Sequence, residues 1–186
     1  SQQKDGSVED AAALAFHFSE AKEYIRAIQY LILAGEKAAS QYANEEAVSH
    51  FQQAEKYQTS LPQPNPEWQW RIGIGLGEAY RITGLFEESI EALEKLIPLA
   101  KETSQYPYAR LLILLGKTSR KLGDYDIGRT YLMQARDLLL SESTSGNDLI
   151  LAAQVLTELA WIYFAQGELE QARKLGTEAL EFAKEV

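Results

Sequence analysis

The chain has 186 residues, no cysteine, 46 % hydrophobic and 24 % charged residues, and a formal net charge of −9. This is the composition of a folded chain, and the missing cysteines exclude disulfides, thiolate metal sites and a cysteine nucleophile. Surplus acid argues against a general nucleic-acid binder, whose affinity comes from accumulated Lys and Arg, and no apolar run approaches the roughly 20 residues of a membrane span.

The first residues, Ser1-Gln2-Gln3-Lys4-Asp5-Gly6, hold no apolar segment and no initiating methionine. Residues 1–7 are therefore expected to be a disordered or appended start of a piece cut from a longer protein, cytoplasmic in location. From Val8 to Ser19, Ala11, Leu14, Ala15 and Phe18 mark one helical face. After a short turn at Lys22-Glu23-Tyr24, a longer amphipathic run carries Ile25, Ala27, Ile28, Leu31 and Ala34 to about Tyr42. Asn44 suits the N-cap of a third helix bearing Ala47, Val48, Phe51 and Ala54. Residues 8–60 thus form an irregular N-terminal helical group, and the proline-rich stretch 61–66 reads as a linker. Asn65 as cap with Pro66 at the first helical position opens the next helix.

Over 67–186 the pattern predicts helices at roughly 66–83, 86–102, 107–122, 125–140, 148–166 and 169–185, three hairpins in one continuous array and about nine helices in all. Gly84, Gly123 and Gly167 close the first helix of each hairpin, 39 and then 44 residues apart. The polar stretch Ser141-Glu142-Ser143-Thr144-Ser145-Gly146-Asn147 accounts for the longer step. No segment alternates apolar and polar residues as a strand would. A repeat of this length signals stacked helical hairpins that cannot bury their apolar faces singly.

Aligned on units starting at Val8, Trp70, Ala109 and Ala153, the seventh position is Leu14, Leu76, Leu115 and Leu159, and the eighth is Ala15, Gly77, Gly116 and Ala160. The twentieth is Ala27, Ser89, Gly128 and Ala172. These units resemble tetratricopeptide (TPR) repeats, which implies an all-α, right-handed α-solenoid. Small residues at the eighth and twentieth positions let helix axes approach to about 8–10 Å. Leu96 at a small position, Ser119 at an aromatic one and Gly176 at a large one depart from the pattern.

The segment from Leu14 to Tyr57 carries a second resemblance, in Ala15-Phe16-His17-Phe18-Ser19-Glu20-Ala21, Ala27-Ile28-Gln29-Tyr30-Leu31 and Tyr42-Ala43-Asn44-Glu45-Glu46-Ala47. It is similar to the start of the repeat region in large bacterial signalling proteins, where a STAND-type NTPase module, often fused to a nucleotide cyclase or kinase, precedes TPR-like repeats. Ala27 and Ala47 stand 20 residues apart, so one helix is expected to serve two consecutive units.

Two phosphate-binding look-alikes fail on context. Gly116-Lys117-Thr118 has Leu111 where a P-loop needs its first glycine and lies within a predicted helix. Gly73-Ile74-Gly75-Leu76-Gly77 follows no strand and reads as a site of tight helix packing. His17 and His50 have no metal-site spacing, and Glu45/Glu46 and Glu87/Glu88 suit helix N-termini. No enzymatic constellation, cofactor or metal site is expected.

In TPR folds positions 2, 5, 9, 12 and 13 line the concave groove. Here they are Arg71, Ile74, Glu78, Arg81 and Ile82, then Arg110, Ile113, Lys117, Arg120 and Lys121, with Trp161 and Phe164 further along. Stacked arginines at matching positions suit an acidic ligand, because guanidinium groups bind carboxylates in a fork; the alternative is a face solvated or paired internally, Glu78 being at hand. The asparagines of the family's carboxylate clamp are absent. The expected function is a non-catalytic protein–protein interaction or sensor module from a larger bacterial signalling ATPase or cyclase, with a protein or acidic peptide as partner and no nucleic acid or membrane. A stand-alone adaptor binding an acidic peptide, or a regulatory domain binding an anionic small molecule, is the alternative.

Overall fold

The computed structural model describes residues 11–140 and 146–184, so the expectations for residues 1–7 and for the stretch 141–145 lie outside the described residues. Ten helices follow one another: α1 (Ala11–Glu20), α2 (Tyr24–Ser40), α3 (Asn44–Thr59), α4 (Pro66–Thr83), α5 (Phe86–Glu94), α6 (Ile97–Thr103), α7 (Gln105–Leu122), α8 (Tyr125–Leu140), α9 (Gly146–Ala165) and α10 (Leu169–Lys184). Among the described residues there is no strand. The helices pack as stacked TPR-like pairs in two compact units divided between Leu96 and Ile97.

One turn recurs five times. The amides of Glu23, Ala43, Leu85, Asp124 and Glu168 each donate, at 2.9 Å, to the carbonyl five residues back, on Phe18, Ala38, Tyr80, Ser119 and Tyr163. This is the closing bond of a Schellman motif, which places the residue before each of those amides in the left-handed region. Gly84, Gly123 and Gly167 take it with φ of 84°, 95° and 82°. In the first two turns Lys22 (φ 58°) and Tyr42 (φ 62°) take it instead, without a glycine. They stand 20 residues apart, as Ala27 and Ala47 do, and α2 packs against both α1 and α3.

The first unit is built around Phe51 of α3, which is 1 % exposed among Ile28, Leu31, Ile32, Ile72 and Leu76. Its ring lies against Gly35 of α2 and Gly75 of α4, where an added Cβ would fall inside 3.0 Å of ring carbons. The glycine-rich stretch of α4 is thus a packing surface: Gly75 receives Phe51, Gly77 receives Leu93, and Gly73 receives Leu96. Leu96, out of place by the repeat pattern, is accommodated because its partner has no side chain. The stretch 61–66 does not separate α3 from α4, which pack on each other. Asn65 caps α4 as expected, accepting from the amides of Glu67 (2.9 Å) and Trp68 (3.2 Å).

Two local expectations are corrected. The single helix expected over 86–102 is two, giving ten helices among the described residues where about nine were expected. Pro98 has no amide hydrogen and its ring collides with the carbonyl four residues back, that of Glu94, where α5 ends. Asn44 is the first residue inside α3, not its cap; its Nδ2 donates to the Tyr42 carbonyl at 3.3 Å. With Tyr42 already left-handed, the chain enters the helix one residue earlier, at Ala43.

In the second unit Leu112, Leu132, Val155, Leu156, Leu159 and Ile162 form the core. Gly116 of α7 faces Leu132 of α8: a Cβ there would lie 2.5 Å from the leucine Cγ. Residues 148–165 of α9 are, by length and composition alone, long and apolar enough to cross a membrane, contrary to the expectation from sequence. In the fold Leu151, Ala152, Val155, Leu156, Leu159 and Ile162 turn one side of this helix into the core.

Left-handed backbone costs a side chain-bearing residue about 1–2 kcal/mol, partly offset by the extra unfolded-state freedom of glycine. Tyr42→Gly should therefore stabilise the protein by about 0.5–1 kcal/mol, since the ring is 85 % exposed and packs on little. Urea unfolding checks this.

Candidate functional site

In the first unit the predicted groove residues lie on α4. Arg71 is engaged within the protein: its Nε and Nη2 donate to Glu36 Oε1 and Oε2 of α2 at 2.8 and 2.7 Å, a fork-to-fork pair. These bonds hold its pKa above the ordinary arginine value. Arg81, in the last turn, has a buried Nε without a hydrogen-bond acceptor. Ile74 is half-buried, while Glu78 and Ile82 are exposed. Glu78 is not the partner of either paired arginine.

In the second unit α7 supplies Arg110, Lys117, Arg120 and Lys121. Arg120 Nε donates to Glu158 Oε2 of α9 at 2.8 Å, with both side chains about four-fifths buried, and its guanidinium lies 5.9 Å from the Trp161 ring. Arg110 is exposed, with its guanidinium 5.9 Å from the Tyr106 ring. Lys117 is half-buried and Lys121 exposed, and no described residue forms an ion pair with either. Arg110, Lys117 and Lys121, spaced seven and four apart, share one stripe of the helix. Ile113, expected in the groove, is buried in the unit's core at 4 % exposure, because α7 packs against both α8 and α9 along that side.

Trp161 and Phe164 of α9 are 55 % and 57 % exposed and meet edge to face, centroids 5.9 Å apart at 86°. Beside them Thr157, Ala160, Leu169, Ala172, Arg173 and Gly176 line an open groove of about 560 Å³ between α9 and α10. Trp161 and Phe164 are expected groove residues, whereas the groove beside them is not expected; its signal in the sequence is Gly176, a glycine where the repeat wants bulk.

Gly116-Lys117-Thr118 sits inside α7, and the Thr118 hydroxyl donates to the Leu114 carbonyl at 2.8 Å instead of facing a phosphate cradle. His17 stands edge-on to Phe16, and burial lowers the pKa of His50. No group of three metal-ligating side chains occurs among the described residues. What these surfaces offer is apolar and cationic contact.

The tetratricopeptide repeat family matches residues 74–103 and 107–185, together more than half of the chain. The chain is a tetratricopeptide repeat protein. No curated protein matches it by sequence. Among solved structures it resembles the nearly identical TPR-like repeats of a Podosopora anserina chain assigned as a kinesin light chain (TM-score 0.79, 18 % identity, 98 % of this chain and 90 % of that one). It also resembles MamA (TM-score 0.73, 16 % identity, 99 % and 93 %). A third is the Rap conjugation gene regulator of plasmid pLS20, solved with the Phr* peptide (TM-score 0.69, 18 % identity, 87 % and 44 %). This chain spans less than half of that regulator. At these identities the likeness is one of fold. Tetratricopeptide repeats are non-catalytic and generally bind proteins or peptides.

The two arginine pairs should separate in strength. Arg120→Gln leaves Glu158 largely buried without its charge partner, an expected loss of about 1–3 kcal/mol. Arg71→Gln opens a pair whose side chains are 32 % and 44 % exposed, and should cost less than about 1 kcal/mol. Chemical denaturation of both variants checks the order.

Proposed function

We propose that this chain is a non-catalytic interaction or sensor module, the repeat region of a larger bacterial signalling ATPase or cyclase, working in the cytoplasm and binding an acidic protein segment. The observation that carries it is the second unit's exposed surface. Arg110, Lys117 and Lys121 run along α7 without ion-pair partners among the described residues, and Arg120 of the same helix has its guanidinium 5.9 Å from the exposed Trp161 ring. Internal pairing removes Arg71 and Arg120 from the six basic residues expected in the groove; of the remaining four Arg81 lies in the first unit, so the ligand-facing charge of the second unit rests on Arg110, Lys117 and Lys121.

The bacterial signalling parentage rests on the Leu14–Tyr57 resemblance and on the 20-residue step, which the left-handed turns at Lys22 and Tyr42 share. It requires that the coding sequence upstream of Ser1 encode a P-loop followed by a winged-helix pattern. An initiation codon directly before Ser1 would instead support the stand-alone adaptor.

Titrating a fluorescein-labelled, glutamate-rich peptide tests the acidic-ligand reading. Binding should weaken as salt rises through screening. The double change Arg110→Glu, Lys117→Glu should weaken it at least tenfold with the melting temperature little altered. Equal binding by the variant would overturn the assignment.

A further inference from the structure

Counted from the same unit starts, the twenty-third repeat position is Ala92, then Tyr131 and Leu175 in the next two hairpins. Tyr131 packs against the core of the second unit, and Leu175 is buried in it. The fourth and twenty-seventh positions do not make up the difference in the first of these hairpins. Gly73 and Leu96 there answer to Leu112 and Ala135 in the next, a large and a small residue exchanged. The methyl group of Ala92 thus leaves unfilled the space that a large side chain takes further along. A cavity of about 240 Å³ lies at this place, between α3, α4 and α5. Ile72, Gly73, Ala92 and Leu96, all buried, give it an apolar lining, with Pro64 from the 61–66 stretch.

Gln58, in the last turn of α3, lines the same cavity and is 4 % exposed. Its Nε2 donates to the Asn65 carbonyl at 3.0 Å. Because a carbonyl only accepts, this bond fixes which end of the amide is nitrogen. The other end, Oε1, is buried and has no hydrogen-bond donor among the described residues. A buried acceptor without a donor is unfavourable, so a ligand that brings one gains a bond for which the protein gives up nothing. The charges at the cavity are already balanced. Half-buried Glu55 of α3 stands on one side and Lys95, just past the end of α5, on the other. Lys95 Nζ holds Glu91 Oε1 at 3.1 Å, and that hydrogen bond, then the charge of Glu55, keeps its pKa above the ordinary lysine value. A cation so engaged offers little to an anion, and Glu55 little room for a second cation to be selected.

Size narrows the ligand further. An apolar cavity of about 150 Å³ takes up benzene, and the same space per ring atom makes about 225 Å³ for the nine ring atoms of a fused bicycle. The volume between α3, α4 and α5 is close to that. We propose that this cavity binds a free, neutral, fused aromatic molecule of the size of indole. Its rings supply the bulk that Ala92 withholds, and its single N–H or O–H donates to Gln58 Oε1. The apolar lining asks for the ring, the unpaired acceptor for the donor, and the balanced charges for neutrality. The proposal concerns the first unit alone and stands apart from the acidic-segment reading, which rests on α7, so either can fail without the other.

Indole is the probe, titrated against the whole chain with backbone amide chemical shifts as the readout. Saturable submillimolar binding is expected, with the largest shifts at Gln58, Ile72 and Ala92. Benzothiophene has the same shape without the donor and serves as the reference. Gln58→Met keeps the length of the side chain and removes the acceptor, so the ratio of indole to benzothiophene affinity should fall at least fivefold. Benzothiophene binding retained in that variant shows the cavity intact. Ala92→Tyr places there the residue of the next hairpin and should abolish binding of both rings while the melting temperature holds or rises. Ala92→Leu, the residue type of the third hairpin at this position, repeats that test should the tyrosine variant not fold. Absence of saturable indole binding overturns the proposal, as does an unchanged ratio in Gln58→Met or full binding in a folded Ala92 variant. Tighter binding of tryptamine or indole-3-acetate than of indole would make the site one for a charged ligand and overturn it. A tryptophan-bearing peptide that shifts the same amides and binds at least tenfold more tightly than indole would assign the ring to a partner protein and do the same.

Discussion

The close crossing of the two helices in each hairpin is the constraint on which the rest depends. Helices can approach closely only where one contributes little or no side chain and the other fills the space. Glycine at 77 and 116 meets leucine at 93 and 132, and the leucines are fully buried there. The same logic governs Phe51, held between Gly35 and Gly75, and Leu96 against Gly73. Each of these glycines weakens its own helix by about 1 kcal/mol relative to alanine. Packing more than offsets that cost, because each admits a large apolar group that has no other seat.

The turn is the second device, and it is local. A left-handed residue followed by a Schellman bond reverses the chain five times with one geometry. Crossing and turn together make a unit that contacts mainly its neighbours, the condition for a repeat array. Departures from either rule then become informative. Lys22 and Tyr42 without glycine mark the irregular first unit. Gly176 stands where the two preceding hairpins carry Leu93 and Leu132, and an added Cβ there would meet nothing within 4 Å.

Much of this was legible in the sequence because its causes are local. Gly84, Gly123 and Gly167 announce positive φ, Asn65-Pro66 announces a capped helix, and the small residues of the eighth and twentieth positions announce the crossings. The helix break at Glu94 was equally local, written in Pro98, and was missed because the apolar spacing runs on across it. Asn44 shows the opposite failure: a good cap by propensity, displaced when the preceding turn took Ala43 as the entry point. Charge pairing was not legible at all. Arg71 finds Glu36 and Arg120 finds Glu158, 35 and 38 residues away, and only the packing of helices brings them together. The burial of Ile113 has the same origin, since α7 is covered on two sides.

A double-mutant cycle on Gly116 and Leu132 tests the crossing constraint most directly. Gly116→Ala alone should destabilise by about 1–3 kcal/mol through overpacking against the leucine. With Leu132→Ala already present, the added methyl has room and the same change should be nearly neutral or stabilising, giving a coupling above about 1 kcal/mol. Effects that add to within about 0.5 kcal/mol would mean that the two residues do not share the crossing, and would contradict the packing rule on which the repeat register depends.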